Sequence, residues 1–191
     1  VTAYRRHVDA AVVKFFQTTD EDRLAKLAPL VEVGLNHEQQ HQELMLTDIL
    51  HAFAQNPIPP AYDPSWRFPA PNRSAEEWFA LNEGIHTVGH IDHSFHFDNE
   101  KPAHRALVGP VRLARNLVTN AEWLAFMQDG GYGTATLWLM DGFATASNEG
   151  WQAPGHWRQS DGEWWIMTLG GLQPVDPAAP VSHVSYYEAD A

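Results

Sequence analysis

The 191-residue chain contains no cysteine. Disulfide frameworks, thiolate zinc sites and cysteine nucleophiles are therefore excluded, and any metal ion must be held by histidine and carboxylate side chains. Positive charge is also scarce, because 12 Lys and Arg stand against 24 Asp and Glu, which gives a formal net charge of −12. With no basic cluster to neutralise phosphates, neither nucleic acid nor an anionic membrane is expected as a partner.

Long apolar runs are missing as well. No window approaches the ~18 apolar residues of a membrane span, and the amphipathic N-terminus lacks the pattern of a signal peptide, so we predict a cytoplasmic protein. What the chain does have is 44% hydrophobic residues, 8 Trp and 9 Phe, enough for a packed core in one domain or two compact ones. It also has 11 His, a high count for this length.

The first part of the chain has helical periodicity. The spacing predicts a helix over residues 1–17, a short helix capped by Asp20 and ending at Leu27, and a long helix from Pro29 to about Gln55. These three helices are typical of part of a bundle, which we place at residues 1–56. A proline-rich linker is predicted over residues 57–80.

The remaining residues, 81–191, have a different texture. Short β-like runs at Ile85–Gly89, Arg105–Leu113 and Trp164–Leu169 alternate with turn residues, and one good helix is predicted over Thr119–Met127. The fold class predicted for the whole chain is therefore α+β. Most of the tryptophans are expected in the core of this second domain.

The strongest local signal is the pair His37 and His41. On a helix of about 100° per residue the two imidazoles lie about 40° apart, on the same stripe as Leu44 and Val33, so they are predicted to face the bundle interior. Two histidines at this spacing can chelate one zinc, iron or copper ion, although they can also be two satisfied polar residues of a helical core. Gln40 flanks the stripe at about 300°.

The same letters match the H-E-x-x-H motif of zinc metalloproteases, in which Glu38 would be the general base. The extensions of that motif are missing, since Leu44 and Thr47 stand where one protease group needs Gly and His. A downstream carboxylate ligand would have to come from a residue such as Glu76. The protease interpretation is therefore disfavoured.

Two segments in a fixed order resemble one known family. GLNHEQQHQELMLTDILHAFAQNP (residues 34–57) is similar to the signature helix of the DinB-like domain in the iron-dependent sulfoxide synthases of ergothioneine biosynthesis. Two later segments resemble the sulfatase-modifying-factor domain that follows in that family. They are residues 95–132, which run from FHFDNE to DGGY, and residues 180–191, PVSHVSYYEADA. The resemblance implies a partial DinB-like helical bundle followed by a partial C-type-lectin-like domain.

The resemblance also implies a chemistry. It places a mononuclear non-haem Fe(II) on three histidines, two of them His37 and His41, with Gln40 near a bound trimethylhistidine (hercynine). Such enzymes use O2 to join the imidazole C2 carbon to the sulfur of cysteine or γ-glutamylcysteine and oxidise that sulfur to a sulfoxide. The third ligand is expected upstream of this chain and the catalytic tyrosine downstream, so neither Tyr186 nor Tyr187 is assigned that role.

Two other functions use the same features. A DinB-like thiol transferase would hold zinc or nickel on the same histidine pair, and a non-catalytic scaffold would use the two domains for binding alone. His7 is a weak substitute for the third ligand, His51 is expected in a supporting or surface position, and the loop histidines His90 and His96 are expected to share a side. The choice of thiol and the oligomeric state are left open.

Overall fold

A computed structural model describes residues 1–70 and 77–191. Six positions of the predicted linker, Glu76 among them, lie outside the described residues. The chain divides into two compact units: Val1–Met45 with Val88–His104, and Leu46–Thr87 with Arg105–Ala191. Helices and strands are both present, which confirms the α+β class.

The first unit contains helix α1 (Thr2–Thr18) and most of helix α2 (Glu21–Ala54). The Asp20 carboxylate accepts a hydrogen bond of 2.9 Å from the Arg23 backbone N–H and so caps the start of α2. The prediction of two separate helices here is wrong, because α2 runs without a break through Pro29. Proline removes one backbone hydrogen bond, and the many remaining bonds of a 34-residue helix carry the chain across that gap.

The predicted interior stripe of α2 is exposed. None of the described residues of α1 or α2 is buried, and Val33 and Leu44 are 47% and 50% exposed. In a bundle, several neighbouring helices cover the apolar stripe of each helix. Two helices alone cannot enclose the stripe of α2 in this way. The DinB-like bundle therefore stays a prediction. No helix in the described ranges is long and apolar enough to cross a membrane.

The second unit contains most of the strands, which pair in three groups. The strands are β1 (Trp78–Leu81), β2 (Gly84–Val88), β3 (His104–Val108), β4 (Val111–Ala114), β5 (Trp157–Ser160), β6 (Glu163–Thr168) and β7 (Gly171–Pro174). β1 pairs with β4, β2 with β3, and β5–β6–β7 form a three-stranded antiparallel sheet in which Trp157 lies opposite Ile166. The predicted run Arg105–Leu113 is thus two strands, separated at Gly109 and Pro110.

Three helices complete this unit: α3 (Asn120–Gln128), α4 (Met140–Glu149) and α5 (Tyr186–Asp190). The predicted helix α3 is present, and Thr119 is its cap, since its hydroxyl accepts from the Glu122 N–H. Helix α4 was not predicted, because its Gly, Thr, Ser and Asn are weak helix formers. Packing explains it: a Cβ on Gly142 would lie 2.5 Å from the Tyr187 side chain, so α4 and α5 touch at a position only glycine can occupy.

Three of the eight tryptophans lie in the core of this unit, fewer than the majority that was predicted. Its buried apolar residues are Trp123, Trp138, Ala146, Trp157, Ile166, Met167 and Ala179. A buried hydrogen bond joins distant parts of the chain beside this core: the Tyr132 hydroxyl donates to Glu188 at 2.6 Å. Glu188 is 5% exposed, and its second oxygen accepts from the Ser185 N–H at the start of α5. Burial, with the neighbouring carboxylate, raises the pKa of Tyr132 well above its ordinary value.

Replacing Pro29 by alanine should stabilise the protein by about 1–3 kcal/mol, because alanine restores the missing helix hydrogen bond and removes the ring from the preceding turn. Thermal unfolding followed by circular dichroism measures the change. Lys26→Ala, three residues earlier on the same exposed helix, should leave the midpoint nearly unchanged. A lower midpoint for Pro29→Ala would contradict this account of α2.

Tyr132→Phe should destabilise the protein by about 1.5–3 kcal/mol, since it leaves a buried carboxylate without one of its donors. Urea unfolding measures the loss. Tyr186→Phe is the matched control, because the Tyr186 side chain is 71% exposed and should tolerate the change within about 0.5 kcal/mol. Equal effects of the two substitutions would show that the buried hydrogen bond is unimportant.

Candidate metal site

The candidate site lies on the middle of α2, where regular helix geometry brings His37 and His41 together. Their Nε2 atoms are 3.2 Å apart, and the ring centroids are 4.5 Å apart at an interplanar angle of 83°. This arrangement confirms that the two side chains meet over one helical turn. Both are exposed, which differs from the predicted interior position.

The spacing of the two nitrogens fits coordination of one ion. Two imidazole nitrogens bound at about 2.1 Å, with an angle between 90° and tetrahedral, lie about 3.0–3.4 Å apart. The observed 3.2 Å falls in this range without any movement of the helix. The pair therefore fits as two cis ligands of an imidazole-preferring metal such as iron or zinc.

The charge of the surrounding chain favours a cation. No Lys or Arg occurs between Lys26 and Arg67, and α2 carries Glu38, Glu43 and Asp48 in this stretch. An excess of carboxylates attracts cations through the summed field even where the carboxylates are not ligands. Gln40 is exposed on the same helix and contributes a neutral amide beside the pair.

A third ligand is not assembled by the described parts of the chain. Across residues 1–70 and 77–191, no group of three or more His, Asp and Glu side chains is arranged to hold a metal. His7, the weak substitute, lies instead in an apolar groove of about 550 Å³ between α1 and α2, with Tyr4, Phe15 and Val31 among its neighbours. The candidate Glu76 lies outside the described residues.

The loop histidines are arranged as predicted, although in a loop and not a strand. The rings of His90 and His96 are 4.7 Å apart, while His93 is exposed. His90 is paired with Asp92 at 2.8 Å, and hydrogen bonds from Ser94 hold the pKa of the Asp92 carboxyl below its usual value. These contacts stabilise the loop Val88–His104.

A second group of histidines was missed by sequence reasoning. His51, His156 and His183, which we call the histidine cluster, lie in the second unit with ring centroids 5.6 Å apart for the first two and 4.5 Å for the last two. His51 lies more than a hundred residues before His156, and His183 lies 27 residues after it, so no local spacing predicts these contacts. His51 was expected in a supporting or surface position; it is exposed and its ring also contacts that of His156.

The strands and helices that follow α2 define the class of protein. A family model for the sulfatase-modifying factor enzyme 1-like domain matches residues 66–191, and the chain belongs to this family. The matched residues contain the three-stranded sheet and the helices α3, α4 and α5.

Among curated proteins the chain is similar to hercynine oxygenases, which confirms the expected resemblance. It is 33% identical over 194 residues to the hercynine oxygenase of Mycolicibacterium smegmatis, covering 99% of this chain and 42% of that protein. The enzyme of Mycolicibacterium thermoresistibile is 34% identical over 175 residues, with 89% and 38% coverage. That of Mycobacterium tuberculosis is 33% identical over 157 residues, with 82% and 36% coverage. The chain thus spans about two fifths of the length of these relatives.

His37→Ala and His41→Ala should each weaken Co²⁺ binding at this site about tenfold or more, because each removes one of two chelating nitrogens. Isothermal titration measures the affinity, with Co²⁺ as an oxygen-stable probe. Only neutral imidazole coordinates, so acidification should also weaken binding. His93→Ala, in the exposed loop, is the control and should bind Co²⁺ as the wild type does. Unchanged Co²⁺ affinity in both α2 variants would show that His37 and His41 are not a metal site.

Proposed function

We propose that this chain belongs to an iron-dependent enzyme that oxidatively joins hercynine to the sulfur of cysteine or γ-glutamylcysteine. The single observation that carries the proposal is the 3.2 Å separation of the His37 and His41 nitrogens, on a helix that precedes a sulfatase-modifying-factor domain. The similarity to proteins named hercynine oxygenase supports hercynine as the substrate class and O2 as the co-substrate.

The reaction balances with O2 as the sole oxidant. One imidazole C2–H bond and one S–H bond break, one C–S bond and one S=O bond form, and the second oxygen atom leaves as water. The four electrons that reduce O2 come from the carbon and the sulfur that become joined. No further reductant is required.

The residues of α2 have distinct roles in this proposal. His37 and His41 would hold Fe(II) as neutral imidazole ligands, and the iron would supply activation of O2 and of the thiol sulfur. Gln40 can donate or accept a hydrogen bond through its amide, so it orients the polar end of hercynine without adding charge beside a cationic substrate. The third ligand and the catalytic tyrosine are assigned to no residue of this chain.

The domain organisation is part of the same proposal. Residues 1–56 form part of a DinB-like bundle, residues 57–80 a linker, and residues 81–191 part of the lectin-like domain. The chain spans about two fifths of the length of the relatives, so the activity of the whole protein is part of this proposal. A cytoplasmic location is the expected setting for substrates of this kind.

Gln40→Ala should raise the KM for hercynine about tenfold or more, the loss expected when a hydrogen bond to the substrate is removed, while kcat falls less. The measurement is steady-state O2 consumption by the complete protein with Fe(II), hercynine and each thiol in turn. Gln39→Ala is the matched control, because Gln39 lies about 200° from His37 on the helix and faces elsewhere.

The wild type should consume O2 only when hercynine and a thiol are both present, and His37→Ala should abolish that activity. Transfer of the thiol to an electrophile with zinc or nickel bound, and no O2 uptake, would replace the proposal by a thiol transferase. Hercynine binding without turnover would replace it by a scaffold.

A further inference from the structure

The histidine cluster lies outside the candidate metal site and is built by three separate elements. His51 lies in the last turn of α2, His156 precedes β5, and His183 precedes α5. Each neighbouring pair of rings meets edge to face, with interplanar angles of 64° and 73°. Side chains from distant parts of the chain therefore converge on the C-terminal end of α2.

The backbone around the cluster is constrained. His156 and His183 both have positive φ, 67° and 61°, a conformation that non-glycine residues seldom adopt. The Met167 N–H donates to the His156 carbonyl at 2.9 Å, and the Gly155 N–H donates to the His183 carbonyl at 2.8 Å. These bonds tie the backbone of His156 to β6 and the backbone of His183 to the residue before His156.

A second contact joins the same two elements. The Arg158 guanidinium, on β5, donates to the Ala54 carbonyl at 3.0 Å, which satisfies one of the free carbonyls at the end of α2. The helix end is thus held to β5 at two points, one made by imidazole rings and one by a charged hydrogen bond.

We propose that the histidine cluster is a proton-sensitive clasp, which holds the end of α2 to β5 while its imidazoles are neutral and releases it when they become charged. Protonated rings in edge contact repel one another, and no compensating charge offsets this. In the part of the chain that the structure describes, no carboxylate is among the groups that act on His156 or His183.

The direction of the pKa shifts agrees with this geometry. Burial, then His183 and His51, lower the pKa of His156 from 6.5 to about 4, and burial also lowers that of His183. A histidine whose pKa is lower in the closed form favours that form above about pH 6.5, and this advantage is lost as the pH falls towards 4. The clasp therefore opens in acid and closes at neutral pH.

The test is amide hydrogen exchange of the 191-residue chain between pH 7.5 and pH 5, corrected for intrinsic rates, in buffer containing EDTA. A shift to about 4 corresponds to at most about thirtyfold in the opening equilibrium at pH 5, and solvent screening of a half-exposed ring lowers the expectation to about tenfold. Protection of the amides of Gln55 and Asn56, which bond to α2 carbonyls, should fall by that factor.

The double substitution His156→Asn and His183→Asn should abolish the additional loss of amide protection at pH 5. Asparagine tolerates positive φ and carries no titrating group. His93→Asn, in the exposed loop, should behave as the wild type. Imidazole titration of the wild type by NMR is an independent measurement that does not depend on a variant's folding. Titration of both His156 and His183 near 6.5, constant protection to pH 5, or an unchanged acid loss in the double variant would each overturn the clasp.

Discussion

The unbroken hydrogen-bond ladder of α2 is the constraint on which the candidate chemistry depends. Two imidazoles four residues apart meet only while each intervening residue keeps helical geometry, and the 3.2 Å separation of their nitrogens leaves little room for distortion. Pro29 removes a single bond two turns before His37, so its effect decays before the pair is reached.

Charge distribution supports a cation on this helix and disfavours other partners. The stretch from Lys26 to Arg67 has no basic side chain between its ends, although it includes most of α2. A histidine pair in such a field attracts a metal ion more readily than an anion. A basic face for phosphate binding is missing from the same stretch of sequence.

Local signals in the sequence were sufficient wherever local interactions decide the structure. The helical spacing of α1, the capping box at Thr119 and the meeting of His37 with His41 all arise within a few residues, so each was predictable. Helix α4 and the histidine cluster depend on contacts between distant segments, which no short pattern records. The prediction that His37 and His41 face an interior was wrong for this chain, because periodicity identifies an apolar face but does not show what covers that face.

Neutral imidazole is required at both ends of the functional part of α2, for different physical reasons. At His37 and His41 a proton competes with a metal ion for the same nitrogen lone pair. At His156 and His183 a proton adds charge to rings that are in contact and partly buried, and the His156 ring also contacts that of His51. Acid therefore opposes both metal binding and attachment of the helix end. Metal binding depends on the metal concentration, whereas attachment of the helix end does not. A metal titration at fixed pH can therefore separate the two effects.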